Sequence, residues 1–148
     1  MSNSRKQNFQ QEIQKLIRNN AVFSYSEKVA VGSVNGGTVY TMLPAVRGFK
    51  YKLLDWTVIA LGGTTAGGTS LIIKGTISGS ATAVVTIALA QMARGVVNKA
   101  GSTATFQTDD AGLTDYLDKE TGITVEANGT FTGATHFYVE IHYQLEKA

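Results

Sequence analysis

His136 and His142 are the only imidazoles in the chain, and there is no cysteine. They fall on one face of an alternating run, six residues apart, which is about 20 Å along a strand. One metal ion cannot bridge that span within a single chain. Glu140 and His142 are two residues apart on the same face, about 7 Å by the same rise, so together they can offer two ligands of a site completed elsewhere. Assembly about a threefold axis would bring three such histidines together. An exposed polar strand face is the commoner use of these residues. The run from Asp109 to Asp118 holds enough carboxylates for calcium, but its spacing departs from the Asp-x-Asp-x-Asp-Gly loop with its distal Glu. Gly62-Gly63-Thr64-Thr65-Ala66-Gly67-Gly68-Thr69 invites a phosphate-loop reading. No Gly-Lys-Ser/Thr follows, and the pattern continues as a strand rather than a helix start, so a flexible inter-strand loop is expected. Without a thiol or a Gly-x-Ser-x-Gly elbow, no nucleophile–base pair can be assembled. The expectation is no enzyme, no catalytic residue, no cofactor and no resident metal.

Nucleic-acid binding would want cations interleaved with exposed aromatics. Lys50, Tyr51, Lys52 and Trp56 come nearest, but Trp56 is the only tryptophan and is expected in the core. Asn128-Gly129-Thr130 fits a glycosylation sequon that a tight turn explains equally well.

The strongest positional signal is the stretch from Gly122 to Leu145. Thr135, Phe137, Val139, Ile141, Tyr143 and Leu145 alternate with His136, Tyr138, Glu140, His142 and Gln144. A period of two predicts a strand with one buried face, read here as the central strand of an antiparallel sandwich. Asn128-Gly129 before it favours positive φ at both centres of a type I′ turn, so a hairpin is expected there.

From the start of the chain, Ser4 to Asn19 reads as the only helix. Ser4 and Gln7 have capping-box spacing, and Phe9, Ile13, Leu16 and Ile17 form one apolar stripe. A helix this short must pack on something, whether its own sandwich or another subunit. Arg5 and Lys6 sit in the first turn, where the helix dipole disfavours cations, which suggests an anionic partner surface. A first strand carries Val29 and Val31, Asn35-Gly36-Gly37 turns, and Thr38 to Leu43 is a second strand ended by Pro44, the only proline. Phe49 to Leu61 changes facing near Leu54-Asp55, most simply through a β-bulge. Ser70–Ser78 and Ala81–Ala90, joined by Ser78-Gly79-Ser80, predict a hairpin with Leu71, Ile73, Ile77, Ala83, Val85, Ile87 and Leu89 inward. Gln91 to Gly101 has no clear period and room for a helical turn.

The 148 residues suit one domain, divided as a helical arm over 1–26 and a β-sandwich over 27–148. Charged residues make up only 16%, with Gly, Thr, Ser and Ala in their place, and the net charge is +2, too small for nucleic-acid binding by the whole domain. Neither a signal peptide nor a membrane span is evident. Charge is unevenly placed. Residues 1–28 carry Arg5, Lys6, Lys15, Arg18 and Lys28 against Glu12 and Glu27, while residues 108–126 carry Asp109, Asp110, Asp115, Asp118, Glu120 and Glu126 against Lys119. A basic arm and an acidic stretch suggest contacts between copies or with a charged partner.

This layout resembles the small capsid decoration, or head-auxiliary, proteins of tailed bacteriophages. The resemblance lies in the polar segment Ser2–Asn20, the Gly/Thr/Ala-rich body with Leu53 to Ala60 and Leu71 to Ser80, and the ending Thr135 to Leu145. It implies a mainly β, antiparallel, jelly-roll-like sandwich with an N-terminal amphipathic helix or arm. It implies a non-enzymatic virion protein on the capsid surface, made in the host cytoplasm, that binds the major capsid protein and itself as a homotrimer, with no nucleic-acid or membrane partner. The docking arm expected is Arg5, Lys6, Phe9, Ile13, Leu16, Ile17 and Arg18. The alternative is a carbohydrate-binding phage adhesin or head-fibre module, in which Tyr138 and Tyr116 stack on sugars and the acidic stretch holds calcium.

Overall fold

Alternating burial along the longest apolar runs drives the architecture. The computed structural model describes residues 2–18, 21–88, 97–99, 105–106 and 117–148, with side chains described over 8–16, 21–87 and 117–148. Among the described residues are one α-helix, α1 (Ser2–Arg18), and nine strands. These are β1 (Phe23–Ala30), β2 (Tyr40–Leu43), β3 (Phe49–Leu61), β4 (Ser70–Ile77), β5 (Ser80–Ala88), β6 (Val97–Lys99), β7 (Thr105–Phe106), β8 (Ile123–Asn128) and β9 (His136–Lys147). One sheet has the order β1-β9-β3-β6 and the other β2-β8-β4-β5-β7. Every pairing is antiparallel.

The connectivity is that of a jelly roll. β1 pairs with β9, β2 with β8, β3 with β6 and β4 with β5, the pairing of one long antiparallel ribbon wrapped into two sheets. β7 adds beside β5. The fold is the antiparallel sandwich with an N-terminal helix that the sequence pattern predicts, in the jelly-roll-like form that the resemblance implies.

β9 is central in its sheet, between β1 and β3. Phe137, Val139 and Ile141 are fully buried, and Tyr143 and Leu145 pack against the core, so the expected inward face is observed except at Thr135, which is exposed and precedes the strand. The opposing sheet supplies Leu71, Ile73, Val85, Ile87, Ile123 and Val125, all buried. In β3 the register steps from Leu53↔Tyr143 to Asp55↔His142, leaving Leu54 as the extra residue of a bulge. The bulge keeps Tyr51 and Leu53 on the same inner face as Trp56, Val58 and Ala60. Its polar residue Asp55 accepts the Trp56 N–H at 2.7 Å.

Two local expectations are corrected. Asn128-Gly129 does not close a hairpin. β8 already pairs with β2 and β4 on its two edges, and β9 belongs to the other sheet. Of that pair only Gly129 takes positive φ, at 91°, so the type I′ pattern is absent. That pattern is found instead at Ser78 (φ 52°) and Gly79 (φ 78°), between β4 and β5, where the predicted hairpin does form. The Asp118 carboxylate accepts both turn N–H groups, from Ser78 at 3.0 Å and Gly79 at 2.7 Å, which offsets the cost of a non-glycine residue in the left-handed region. The second correction concerns β5. Ile73 pairs with Val85 but Lys74 with Ala83, so Val84 is a bulge residue. Val84 and Val85 are both buried and Ala83 is not. Leu89, and most of Gln91 to Gly101, lie outside the described residues.

The glycine-rich stretch 62–69 is a packed crossover rather than a free loop. It links the two sheets and lies against residues 130–135, with Ala66 and Thr132 forming a bridge. Gly133 has φ 88° and sits with its α-carbon against the Thr64 carbonyl, and Gly68 lies flat on the Phe131 ring, so a side chain at either would collide. Asn35 locks the same end. Its amide donates to the Phe131 carbonyl at 3.0 Å and accepts the Phe131 N–H at 2.8 Å. At the other end, residues 117–120 bridge the sheets. Leu117 N–H donates to Tyr51 O at 2.7 Å, Asp118 N–H to Thr76 O at 2.8 Å and Glu120 N–H to Phe49 O at 3.0 Å.

Replacing Asn35 by Ala strands both backbone groups of buried Phe131. Asn35→Ala is therefore expected to lower unfolding stability by about 1–3 kcal/mol. In urea melts this appears as a lower midpoint with an unchanged slope.

Candidate functional site

The arm predicted from the apolar stripe is a helix from Ser2 to Arg18, and its last turn closes with the Ala21 N–H on the Leu16 carbonyl at 3.0 Å. Its packing is partial. Ile13 is half-buried, facing the Arg47-Gly48-Phe49 turn and Lys147 at the end of β9. Phe9 remains 67% exposed and Leu16 44%. Among the described positions of the stripe, Ile13 is the most covered, while Phe9 and Leu16 keep much of their surface exposed. Arg5, Lys6, Ile17 and Arg18 are in the helical segment, and their side chains lie outside those described. Between helix and body runs a half-open groove of about 350 Å³, lined by Phe9, Ile13 and Phe49 with Arg47 and Lys147 at its rim.

The other candidates do not assemble into sites. His142 Nε2 lies 2.9 Å from Glu140 Oε1, and the Tyr138 hydroxyl donates to Glu140 Oε2 at 3.2 Å, so these three residues engage one another along the outer face of β9. His136 is exposed, its Nδ1 3.1 Å from Thr135 Oγ1. Among the described residues no three His, Cys, Asp or Glu side chains are grouped to hold a metal. Of the acidic stretch, Asp109, Asp110 and Asp115, with Tyr116, lie outside the described residues. Asp118 holds the β4–β5 turn, and Glu120 accepts the Gly48 N–H at 3.2 Å. Tyr51 and Trp56 are buried, on the face opposite Lys50 and Lys52, so the cation–aromatic constellation is split across the sheet. Lys50 pairs with Glu146 at 3.3 Å.

Glu27 is a polar residue that sequence reasoning passed over. It sits on β1 opposite Val139, on the inward face with Phe23, Tyr25 and Val29. The signal was present in that alternation, since a carboxylate on the apolar face needs partners. It has two: the Tyr25 hydroxyl donates to Oε2 at 2.8 Å, and the Tyr40 hydroxyl, from the facing sheet, donates to Oε1. This clasp joins the edge strands β1 and β2. Hydrogen bonding to Glu27, then burial and its charge, raises the pKa of Tyr25 and of Tyr40. Deeper in, burial and then the neighbouring Tyr143 push Tyr51 up to about 12; Tyr143 is raised by burial. The Tyr51 hydroxyl donates to the Pro44 carbonyl at 2.7 Å, and its ring meets Tyr143 edge-on at 5.4 Å.

No protein-family model and no curated protein matches the chain.

Two outcomes are expected. Phe9→Ser with Leu16→Ser changes unfolding stability by only about 0.5 kcal/mol, because both side chains are largely exposed on the helix surface. Raised tyrosine pKa values mean that the folded state keeps protons the unfolded chain gives up. Stability is then full below about pH 10 and falls as pH rises toward 12. Tyr51 alone accounts for about 2 kcal/mol of that loss by pH 12, which urea melts between pH 9 and 12 measure and Tyr51→Phe reduces.

Proposed function

We infer that the chain is a non-enzymatic structural protein of a tailed-bacteriophage virion. It decorates and stabilises the capsid, docks on the major capsid protein through its N-terminal helix, and associates with itself as a trimer. The observation that carries this reading is the helix stripe, whose Phe9 and Leu16 stay exposed on a chain whose sandwich core is closed. A surface helix that leaves large apolar side chains in water fits a helix-in-groove partner. The fold supports the reading by analogy, because jelly rolls serve as viral capsid and lectin domains. The carbohydrate-binding alternative is weaker, since the Tyr138 ring is half-buried and not presented as an open stacking platform.

Deleting residues 1–20 is expected to abolish co-sedimentation with purified capsids of the encoding phage while the body keeps its cooperative melt. Undiminished binding by the truncated body would sink the arm as the docking element. Light scattering across a concentration series tests the trimer, which should weigh three times the 15.7 kDa chain.

A further inference from the structure

The groove beside α1 offers more than the helix stripe. Its floor is apolar, made by Phe9, Ile13 and Phe49, and its rim carries Arg47 and Lys147. The sheet register sets this combination, because Phe49 pairs with Lys147 where β3 begins and β9 ends. Among the described residues neither rim cation has a carboxylate within ion-pair distance. Of the nearby acids, Glu146 pairs with Lys50 at 3.3 Å, and Glu120 accepts the Gly48 N–H at 3.2 Å. An apolar floor beside two uncommitted cations is complementary to an anionic amphiphile.

We propose that this groove is the second half of the docking surface and that it receives an acidic–apolar segment of the shell protein. An aromatic or aliphatic side chain enters over Phe9 and Phe49, and flanking carboxylates meet Arg47 and Lys147. The proposal rests on the docking reading above for the identity of the partner, and it extends the surface from the arm to three residues of the body. A second copy's helix suits the groove poorly, because the segment with Arg5, Lys6, Lys15 and Arg18 would bring cations to cations. The space, about 350 Å³, is at the small end of ligand pockets and suits one or two side chains rather than a helix.

The test uses the full chain and two fluorescein-labelled, amidated pentapeptides: Asp-Phe-Asp-Leu-Asp and its counterpart with Lys in place of each Asp. Fluorescence anisotropy should show saturable binding of the acidic peptide at one site per chain and none of the lysine peptide. Arg47→Glu with Lys147→Glu should weaken binding at least tenfold, and Phe9→Ser several-fold. Lys28→Glu, at the opposite end of β9, should leave it unchanged. Melting curves show that each variant is folded. Absence of saturable binding, equal binding of the lysine peptide, or indifference to the double charge reversal overturns the proposal. Those results leave the arm reading standing if truncation still abolishes capsid binding. Truncated protein that still binds capsids has lost Phe9 and Ile13 of the groove together with the arm, and overturns both the arm reading and the proposal.

Discussion

The pairing of β9 with both β1 and β3 is the constraint on which the rest of the molecule depends. β9 is twelve residues long and takes β3 along its whole length and β1 along eight residues. Strands far apart in sequence must therefore meet before a core exists. The entropy of closing such loops is large, and the apolar face of Phe137, Val139 and Ile141 supplies the compensating burial, about 1.5–3 kcal/mol for each large side chain. Because β9 lies beneath the opposing sheet, a one-residue slip in its register would turn that face to water and put His136, Tyr138 and Glu140 in the core.

With the sheets set, their two ends are closed by side chains that imitate backbone. Asn35 presents its amide to Phe131 as a strand neighbour would, and Asp118 supplies the acceptors that the Ser78-Gly79 turn lacks. The glycines of 62–69 and 129–133 allow the crossovers to approach to a distance at which a side chain would collide.

Much of this could be read from the amino acids because it rests on alternation. The β9 faces, the bulge at Leu54, the β4–β5 hairpin and the helix stripe all follow from a period of two or of 3.6. The hairpin at Asn128-Gly129 failed for a physical reason. Turn propensity is local, whereas which sheet receives the next strand is decided by the ribbon pairing of β1 with β9 and β2 with β8. Glu27 shows the same limit, since its second partner, Tyr40, arrives from the facing sheet. Of the candidate site, Phe9, Ile13 and Leu16 were visible by spacing. Arg47, Phe49 and Lys147 were not, because only the β3–β9 register brings residues 47–49 to residue 147.

The distribution of exposed apolar surface then bears on where binding free energy can come from. The large exposed apolar residues among those described are Phe9 and Leu16 on the helix, with Val22, Tyr25 and Val39 in or beside the edge strands β1 and β2. The Tyr25 hydroxyl is tied to Glu27, which fixes one part of that edge. Covering Phe9 and Leu16 would contribute about 1.5–3 kcal/mol each at most, a modest sum for one chain once the cost of association is subtracted. Under the proposed docking on a shell with many equivalent sites, a chain linked to its own copies would need no more than that, because each further arm would bind at a high effective concentration. Weak individual arms on a rigid body would then add up to firm attachment, and neighbouring copies would add to one another through avidity rather than through any single strong contact.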